Sequence, residues 1–146
     1  MIEINNLTSI RIDKSFLKKV ARKILRKEKK EKLELSIALV NQRKIRELNK
    51  KYLGKNRPTD VLTFSELEFP KSNQKIKNSL GEITICPQEV KKNSKIFKTT
   101  FKKETINCLA HGILHLLGHD HEDCQREAKM MEKKQKYYLS RIFNQR

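Results

Sequence analysis

Glycine and proline are scarce in this chain, whose 146 residues include four glycines and three prolines. That scarcity argues against long disordered linkers, and a chain of this length can bury one hydrophobic core. No apolar run approaches the length needed to cross a membrane, and the first residues lack the basic and apolar regions of a signal peptide. We therefore expect a single domain over residues 1–146, located in the cytoplasm and without a membrane partner.

Cysteine is equally rare, with three residues at Cys86, Cys108 and Cys124. An odd number without a C-x-x-C pair is a poor disulfide framework, so reduced thiols are expected. Cys108 falls on the same side of a predicted helix as His111 and His115. It is either a small apolar filler or a residue that supports or joins a metal site.

Acidic residues are outnumbered two to one, because 34 Lys and Arg face 17 Asp and Glu, a formal net charge of +17. A charge of this size favours a polyanionic partner, most simply RNA or DNA. The alternative is that a composition rich in Lys, Ile and Asn reflects an AT-rich genome. We expect a nucleic-acid partner and no small-molecule cofactor.

Hydrophobic periodicity predicts an α+β fold, a small mixed β-sheet packed with helices. Asp13 and Asn41 are predicted N-caps, and Gly54 is predicted to end the second helix. The predicted strands lie at residues 2–4, 33–40, 61–64 and 80–85, and the later helices at 88–96, 101–117 and from about 122 onward. The last helix is expected to bury Ala128, Met131, Tyr138, Leu139 and Ile142.

All four histidines fall within residues 111–121, HGILHLLGHDH. His111 and His115 are spaced i, i+4 and therefore share one face of the predicted central helix. Gly118 can end that helix, which allows His121 to return to the same point. Three imidazoles with a fourth position left to water are typical of a catalytic zinc site, so we expect one Zn²⁺ per chain. Such a site activates water for attack on a carbonyl or phosphoryl centre.

The two sides of this helix are predicted to differ. Ile106, Leu109, Ile113, Leu116 and Leu117 form one apolar stripe, with Glu104, Cys108, His111 and His115 roughly opposite.

The general base is less clear from the sequence. A zincin-type peptidase needs Glu directly after the first histidine, and Gly112 stands there, which disfavours a metal-dependent peptidase. The carboxylates that remain open are Asp60, Glu82, Glu104 and Asp120, of which Asp60 and Asp120 are the candidate bases. Asp120 is equally suited to orient a histidine ligand.

Four segments together resemble the YbeY family of bacterial endoribonucleases. They are HGILHLLGHDH at 111–121, NKKYLGKNRPTDVLTF at 49–64, LGEITIC at 80–86, and Glu127 with Met131 in the last helix. The resemblance implies a zinc-dependent, single-strand-specific endoribonuclease of late 70S ribosome quality control and 16S rRNA 3′-end maturation. Ribosomal RNA and the small ribosomal subunit are its implied partners. It also implies that His111, His115 and His121 are the metal ligands.

Two positions depart from the family pattern. His119 stands where the family usually has Tyr, and we interpret it as a neighbour of the site. Leu53 replaces an Arg that the family associates with activity, which leaves a non-enzymatic, zinc-containing ribosome-assembly factor as the alternative function. The expected phosphate-binding cations are Lys51, Lys55 and Arg57.

Overall fold

Four strands and five helices make up the described part of the chain, which in this computed structural model is residues 1–66, 68, 78–118 and 125–144. The strands are β1 (Ile2–Asn6), β2 (Glu34–Leu39), β3 (Val61–Ser65) and β4 (Ser79–Ile85). The helices are α1 (Lys14–Lys27), α2 (Gln42–Leu53), α3 (Pro87–Ile96), α4 (Phe101–Leu116) and α5 (Gln125–Asn144). The predicted loop at 69–78 lies, except for Asn78, outside the described residues, as does the predicted start of the last helix near Glu122.

The sheet is mixed, with strand order β1-β2-β4-β3. β1, β2 and β4 run parallel, whereas β3 is antiparallel to β4. The prediction of an α+β fold with a small mixed sheet is therefore confirmed. Val61 pairs with Ile85, and the carbonyl of Asp60 accepts the N–H of Cys86 at 2.9 Å. This places Asp60 where β3 begins and β4 ends.

Helix ends follow the capping residues found in the sequence. The carboxylate of Asp13 accepts the N–H of Phe16 at 3.1 Å, and the side chain of Asn41 accepts the N–H of Lys44 at 2.8 Å. Each satisfies a backbone donor that the first helical turn leaves unpaired. Gly54 ends α2 in the left-handed conformation at φ 71°. The three predicted helix boundaries are confirmed.

Helix α4 is central, because it packs on β3 and β4 and against α1, α3 and α5. Its predicted apolar stripe is buried at Ile106, Leu109 and Ile113, while Leu116 and Leu117 are only partly buried. The other side is less polar than predicted, since Thr105, Cys108, Ala110 and Leu114 are also buried. The side that was predicted to be polar is buried because α4 has neighbours on nearly every side and does not pack on the sheet through one face alone.

Gly112 lies where α4 packs closely against Ile83 of the sheet. A Cβ built at this position would lie 2.9 Å from Cδ1 of Ile83, which is fully buried on β4. Packed interiors have few voids, so an added methyl group must displace that neighbour. Close packing gives a structural reason for glycine beside the first histidine.

Helix α5 covers α4 through Met131, Tyr138 and Ile142, which are 4%, 3% and 8% exposed. The prediction for Ala128 was wrong, because it is exposed. Successive residues of a helix point in directions about 100° apart. Glu127 is half-buried and faces inward, so the next residue, Ala128, is turned about 100° away from that direction. Leu139 is partly buried against the core.

Glu28 joins the end of α1 to α5. Its carboxylate accepts the Tyr138 hydroxyl at 2.6 Å and the Lys134 ammonium at 2.7 Å. Burial, followed by the hydrogen bond and charge of Glu28, raises the pKa of Tyr138 above its ordinary value.

No helix in the described residues is long and apolar enough to cross a membrane.

Candidate active site

His111 and His115 lie one turn apart on α4, half-buried, with ring centroids 6.2 Å apart and ring planes inclined by 33°. The i, i+4 spacing brings both imidazoles to one side of the helix, as predicted. Two imidazoles on one face of a helix are the arrangement that two histidine ligands of one metal ion require.

The orientation of His111 is set by two side-chain amides. Its Nδ1 lies 3.2 Å from Oε1 of Gln135, whose Nε2 donates to Oδ1 of Asn107 at 3.2 Å. With its amide nitrogen on Asn107, Gln135 presents to His111 an oxygen that can only accept. The proton of the neutral ring is then on Nδ1, and Nε2 carries the lone pair that a metal requires.

Asp60 lies in the same cavity as His111, although 51 residues separate them in sequence. The cavity has a volume of about 180 Å³ and is lined by Asp60, Val61, Asn107, Cys108, His111 and Gln135. Asp60 Oδ1 accepts the Thr59 hydroxyl at 3.3 Å, and Oδ2 accepts the Asn93 amide at 3.4 Å and the Cys108 thiol at 3.5 Å. The carboxylate is thus fixed in position by three side chains.

Cys108 is a buried thiol, not an exposed nucleophile. Burial raises its pKa well above the ordinary value, and the negative charge and hydrogen bond of Asp60 raise it further. The thiol is therefore protonated and donates to Asp60. Of the two sequence interpretations, the structure favours a buried filler that also supports a neighbouring carboxylate.

A polar groove of about 450 Å³ adjoins the cavity, and Asp60 and Val61 line both. It contains Lys55 and Arg57, together with the carboxylates of Asp60 and Glu89. The other lining residues are Asn49, Leu53, Pro58, Thr59, Leu62 and Asn93. The two cations therefore lie in a groove that shares Asp60 and Val61 with the cavity of His111.

The loop that carries Arg57 is anchored by Asn49. This side chain is 3% exposed, and its amide donates to the Arg57 carbonyl at 2.9 Å. Lys51 does not line the groove, and its Nζ lies 5.2 Å from the ring centroid of Tyr52. The structure therefore brings two of the three predicted phosphate-binding cations to the groove.

The remaining predicted site residues divide into two groups. Glu82 accepts the Thr84 hydroxyl and Glu104 the Thr99 hydroxyl, and neither lines the cavity. His119, Asp120 and His121 lie outside the described residues. Within those residues, no three His, Cys, Asp or Glu side chains are grouped closely enough to hold a metal ion.

The donor chemistry fits zinc as far as the described residues extend. His111 and His115 supply two imidazoles on one face, and the amide behind His111 favours the tautomer that binds through Nε2. Sequence reasoning missed Asn107 and Gln135. Their helical spacing was the available signal, because Asn107 precedes His111 by four residues and Gln135 follows the inward-facing Met131 by four.

Comparison with known proteins gives consistent matches. The sequence model of a family described as Endoribonuclease YbeY matches residues 3–142. A Thermotoga neapolitana protein named Endoribonuclease YbeY is 39% identical over 134 residues, 90% of this chain and 84% of that protein. A Petrotoga mobilis protein of the same name is 35% identical over 148 residues, 99% of this chain and 97% of that protein. A solution structure of a Thermotoga maritima protein matches with a TM-score of 0.68 and 36% identity, covering 98% of this chain and 89% of that one.

Proposed function

This chain belongs to the YbeY family of endoribonucleases, and from that membership we propose that it hydrolyses phosphodiester bonds in single-stranded ribosomal RNA. The observation that carries the proposal is the position of Asp60. This residue lines both the cavity that His111 lines and the groove that contains Lys55 and Arg57, so an RNA strand in the groove can reach the cavity of His111.

We assign one Zn²⁺ per chain to His111, His115 and His121 as ligands. When bound, zinc supplies a Lewis acid beside the phosphodiester and makes a water nucleophile available near neutral pH. Gln135 orients His111 for this role through the Nδ1 hydrogen bond. His121 stays a prediction from the sequence motif.

Asp60 is our candidate for the residue that accepts a proton from the attacking water. A base must hold its carboxylate within hydrogen-bonding reach of that water, and the contacts from Thr59, Asn93 and Cys108 fix this carboxylate at the cavity wall. Asp120 stays the second candidate from the sequence.

Lys55 and Arg57 would bind RNA phosphates in the groove, and the net charge of +17 would draw the RNA toward the protein. Such contacts position a strand without reading its bases. Leu53 lines the same groove and is 58% exposed, so a cation is lacking where the family usually has Arg. We propose that Arg57 supplies positive charge in this groove, with Lys51 as a more distant contact.

In the cell, we propose action in the cytoplasm on the 3′ end of 16S rRNA and in late 70S ribosome quality control. Ribosomal RNA and the small ribosomal subunit would be the partners. This proposal rests on the family assignment and on the positive net charge of the chain.

Leu53 specifically favours a second candidate function, a zinc-containing assembly factor that binds ribosomes without cutting RNA. A metal-dependent peptidase is a weaker third candidate, because Gly112 offers no carboxylate and packs against Ile83.

An assay of RNA cleavage separates these functions. Purified zinc-loaded protein is incubated with a single-stranded 16S rRNA fragment, and wild type is compared with Asp60→Asn, Arg57→Ala and Leu53→Arg. Arg43→Ala is the matched control, since Arg43 is on α2 with a 90% exposed side chain. The nuclease predicts strong loss of cleavage in Asp60→Asn and weaker RNA binding in Arg57→Ala. Ribosome binding without cleavage by wild type or Leu53→Arg would support the assembly factor.

A further inference from the structure

The C-terminal end of α3 exposes two neighbouring apolar side chains, those of Ile96 and of the capping residue Phe97. Ile96 is 62% exposed and Phe97 is 65% exposed. A single exposed apolar residue is ordinary, but two large ones together, one of them aromatic, form a small apolar surface in contact with water.

This surface lies at the end of the helix that contributes two residues to the groove. Asn93 and Glu89 of α3 line the groove, and Asn93 donates to Asp60 at 3.4 Å. Ile96 and Phe97 follow Asn93 by three and four residues, so they lie on the same helix side about 5–6 Å farther along. A strand leaving the groove along α3 would meet the Phe97 ring next.

The backbone around Phe97 is held in place by hydrogen bonds. Its N–H donates to the Asn93 carbonyl at 2.9 Å, and the N–H of Thr99 donates to the Ser94 carbonyl at 2.9 Å. Lys98 between them adopts the left-handed conformation at φ 53°. The ring is therefore presented from a fixed turn, which lowers the entropy cost of using it for binding.

Lysines dominate the chain around the ring, although the Glu104 carboxylate accepts the hydroxyl of Thr99, two residues from Phe97, at 2.8 Å. Residues 91–103 contain no Asp or Glu but six lysines, at Lys91, Lys92, Lys95, Lys98, Lys102 and Lys103. Lys92 lies four residues before Ile96, on the same side of α3, and Lys98 follows Phe97 directly. An aromatic ring flanked by cations is the usual arrangement for binding single-stranded nucleic acid, since every base can stack on it.

We propose that Phe97 stacks on a base of single-stranded RNA just outside the groove, with Lys92 and Lys98 contacting the adjacent phosphates. The inference rests on the proposed function, and adds a binding position beyond the residues that act on the phosphodiester. It predicts that this position contributes to RNA affinity without reading sequence.

The test is the affinity of the zinc-loaded protein for a fluorescein-labelled single-stranded oligouridylate, measured by anisotropy at several salt concentrations, with oligonucleotide integrity checked on a gel. Phe97→Ala is expected to weaken binding at least fivefold with an unchanged salt dependence, and Phe97→Tyr to restore it. Lys92→Ala is expected to reduce the slope of log affinity against log salt by about 0.7. Leu7→Ala is the matched control, since Leu7 is 67% exposed and follows β1 at the opposite edge of the sheet.

Each outcome has a defined meaning. Wild-type binding with Phe97→Ala within twofold of Leu7→Ala would overturn this inference and leave the proposed function standing. Equal weakening in Phe97→Ala and Phe97→Tyr would also overturn it, because a stacking ring tolerates Tyr. A wild-type protein that does not bind the oligonucleotide would contradict the proposed function itself. A protein partner that is lost in Phe97→Ala while RNA affinity is retained would replace RNA as the occupant.

Discussion

Gln135 is expected to tune zinc affinity without binding the metal. Gln135→Ala removes the acceptor 3.2 Å from His111 Nδ1, so the ring is free to rotate and to place its proton on either nitrogen. Loss of the group behind a histidine ligand typically lowers metal affinity about 10–100-fold. The hydrogen bond is neutral and, at 3.2 Å, at the long end of the usual range, so we expect the lower end of that loss, about tenfold or roughly 1.4 kcal/mol.

Companion variants separate orientation from general damage. Gln135→Glu keeps an acceptor and adds charge, so zinc affinity is expected to equal or exceed wild type. Asn107→Ala removes only the contact that orients the Gln135 amide, and a smaller loss of about two- to threefold is expected from a single neutral hydrogen bond. Lys136→Ala is the matched control on α5, where Lys136 has a 76% exposed side chain.

The assay is competition for zinc between the protein and a chromophoric chelator, with thermal unfolding of the metal-free variants measured in parallel. Zinc affinities of Gln135→Ala and Lys136→Ala within twofold of one another would refute the role of Gln135. Equal losses of zinc affinity in Gln135→Glu and Gln135→Ala would refute it as well, because the acceptor would then be irrelevant.

Two further predictions concern stability. Gly112→Ala is expected to lower the free energy of unfolding by about 1–3 kcal/mol, because the added Cβ would lie 2.9 Å from Cδ1 of Ile83. Urea unfolding measures this loss, and an unchanged urea midpoint would contradict it. Tyr138 has a folded-state pKa raised above its unfolded value, so its neutral hydroxyl stabilises the fold fully below the unfolded pKa. The free energy of unfolding should therefore fall as pH rises above about 10, and the fall should be smaller in Tyr138→Phe. Equal pH dependence of stability in wild type and Tyr138→Phe would refute the role assigned to the contact between Tyr138 and Glu28.

Local signals in the sequence were sufficient for most of the fold. Asp13, Asn41 and Gly54 mark helix ends through contacts within a few residues, and such contacts depend little on the rest of the chain. Alternating apolar residues placed the strand at 33–40, because successive side chains of a strand point to opposite faces of a sheet. The prediction that Ala128 is buried was wrong, because in the sequence an exposed alanine at the border of the apolar stripe of a helix resembles a buried one.

The site itself depended on contacts between distant segments. The meeting of Asp60 with His111 follows from the β3–β4 pairing and from α4 packing on those strands, neither of which a single sequence reveals. Gln135 was missed because its role requires the position of α5 against α4. The histidine pair, in contrast, was found from i, i+4 spacing alone.

The role of the histidine site is tested most directly by comparing RNA cleavage and RNA affinity in wild type and His115→Ala, both measured on the same single-stranded 16S rRNA fragment. We expect zinc-dependent cleavage by wild type, cleavage lowered at least 100-fold in His115→Ala, and RNA affinity within about threefold of wild type, because the proposed phosphate contacts lie in the groove. Undiminished cleavage by His115→Ala would contradict the assignment of the histidine site as the catalytic centre.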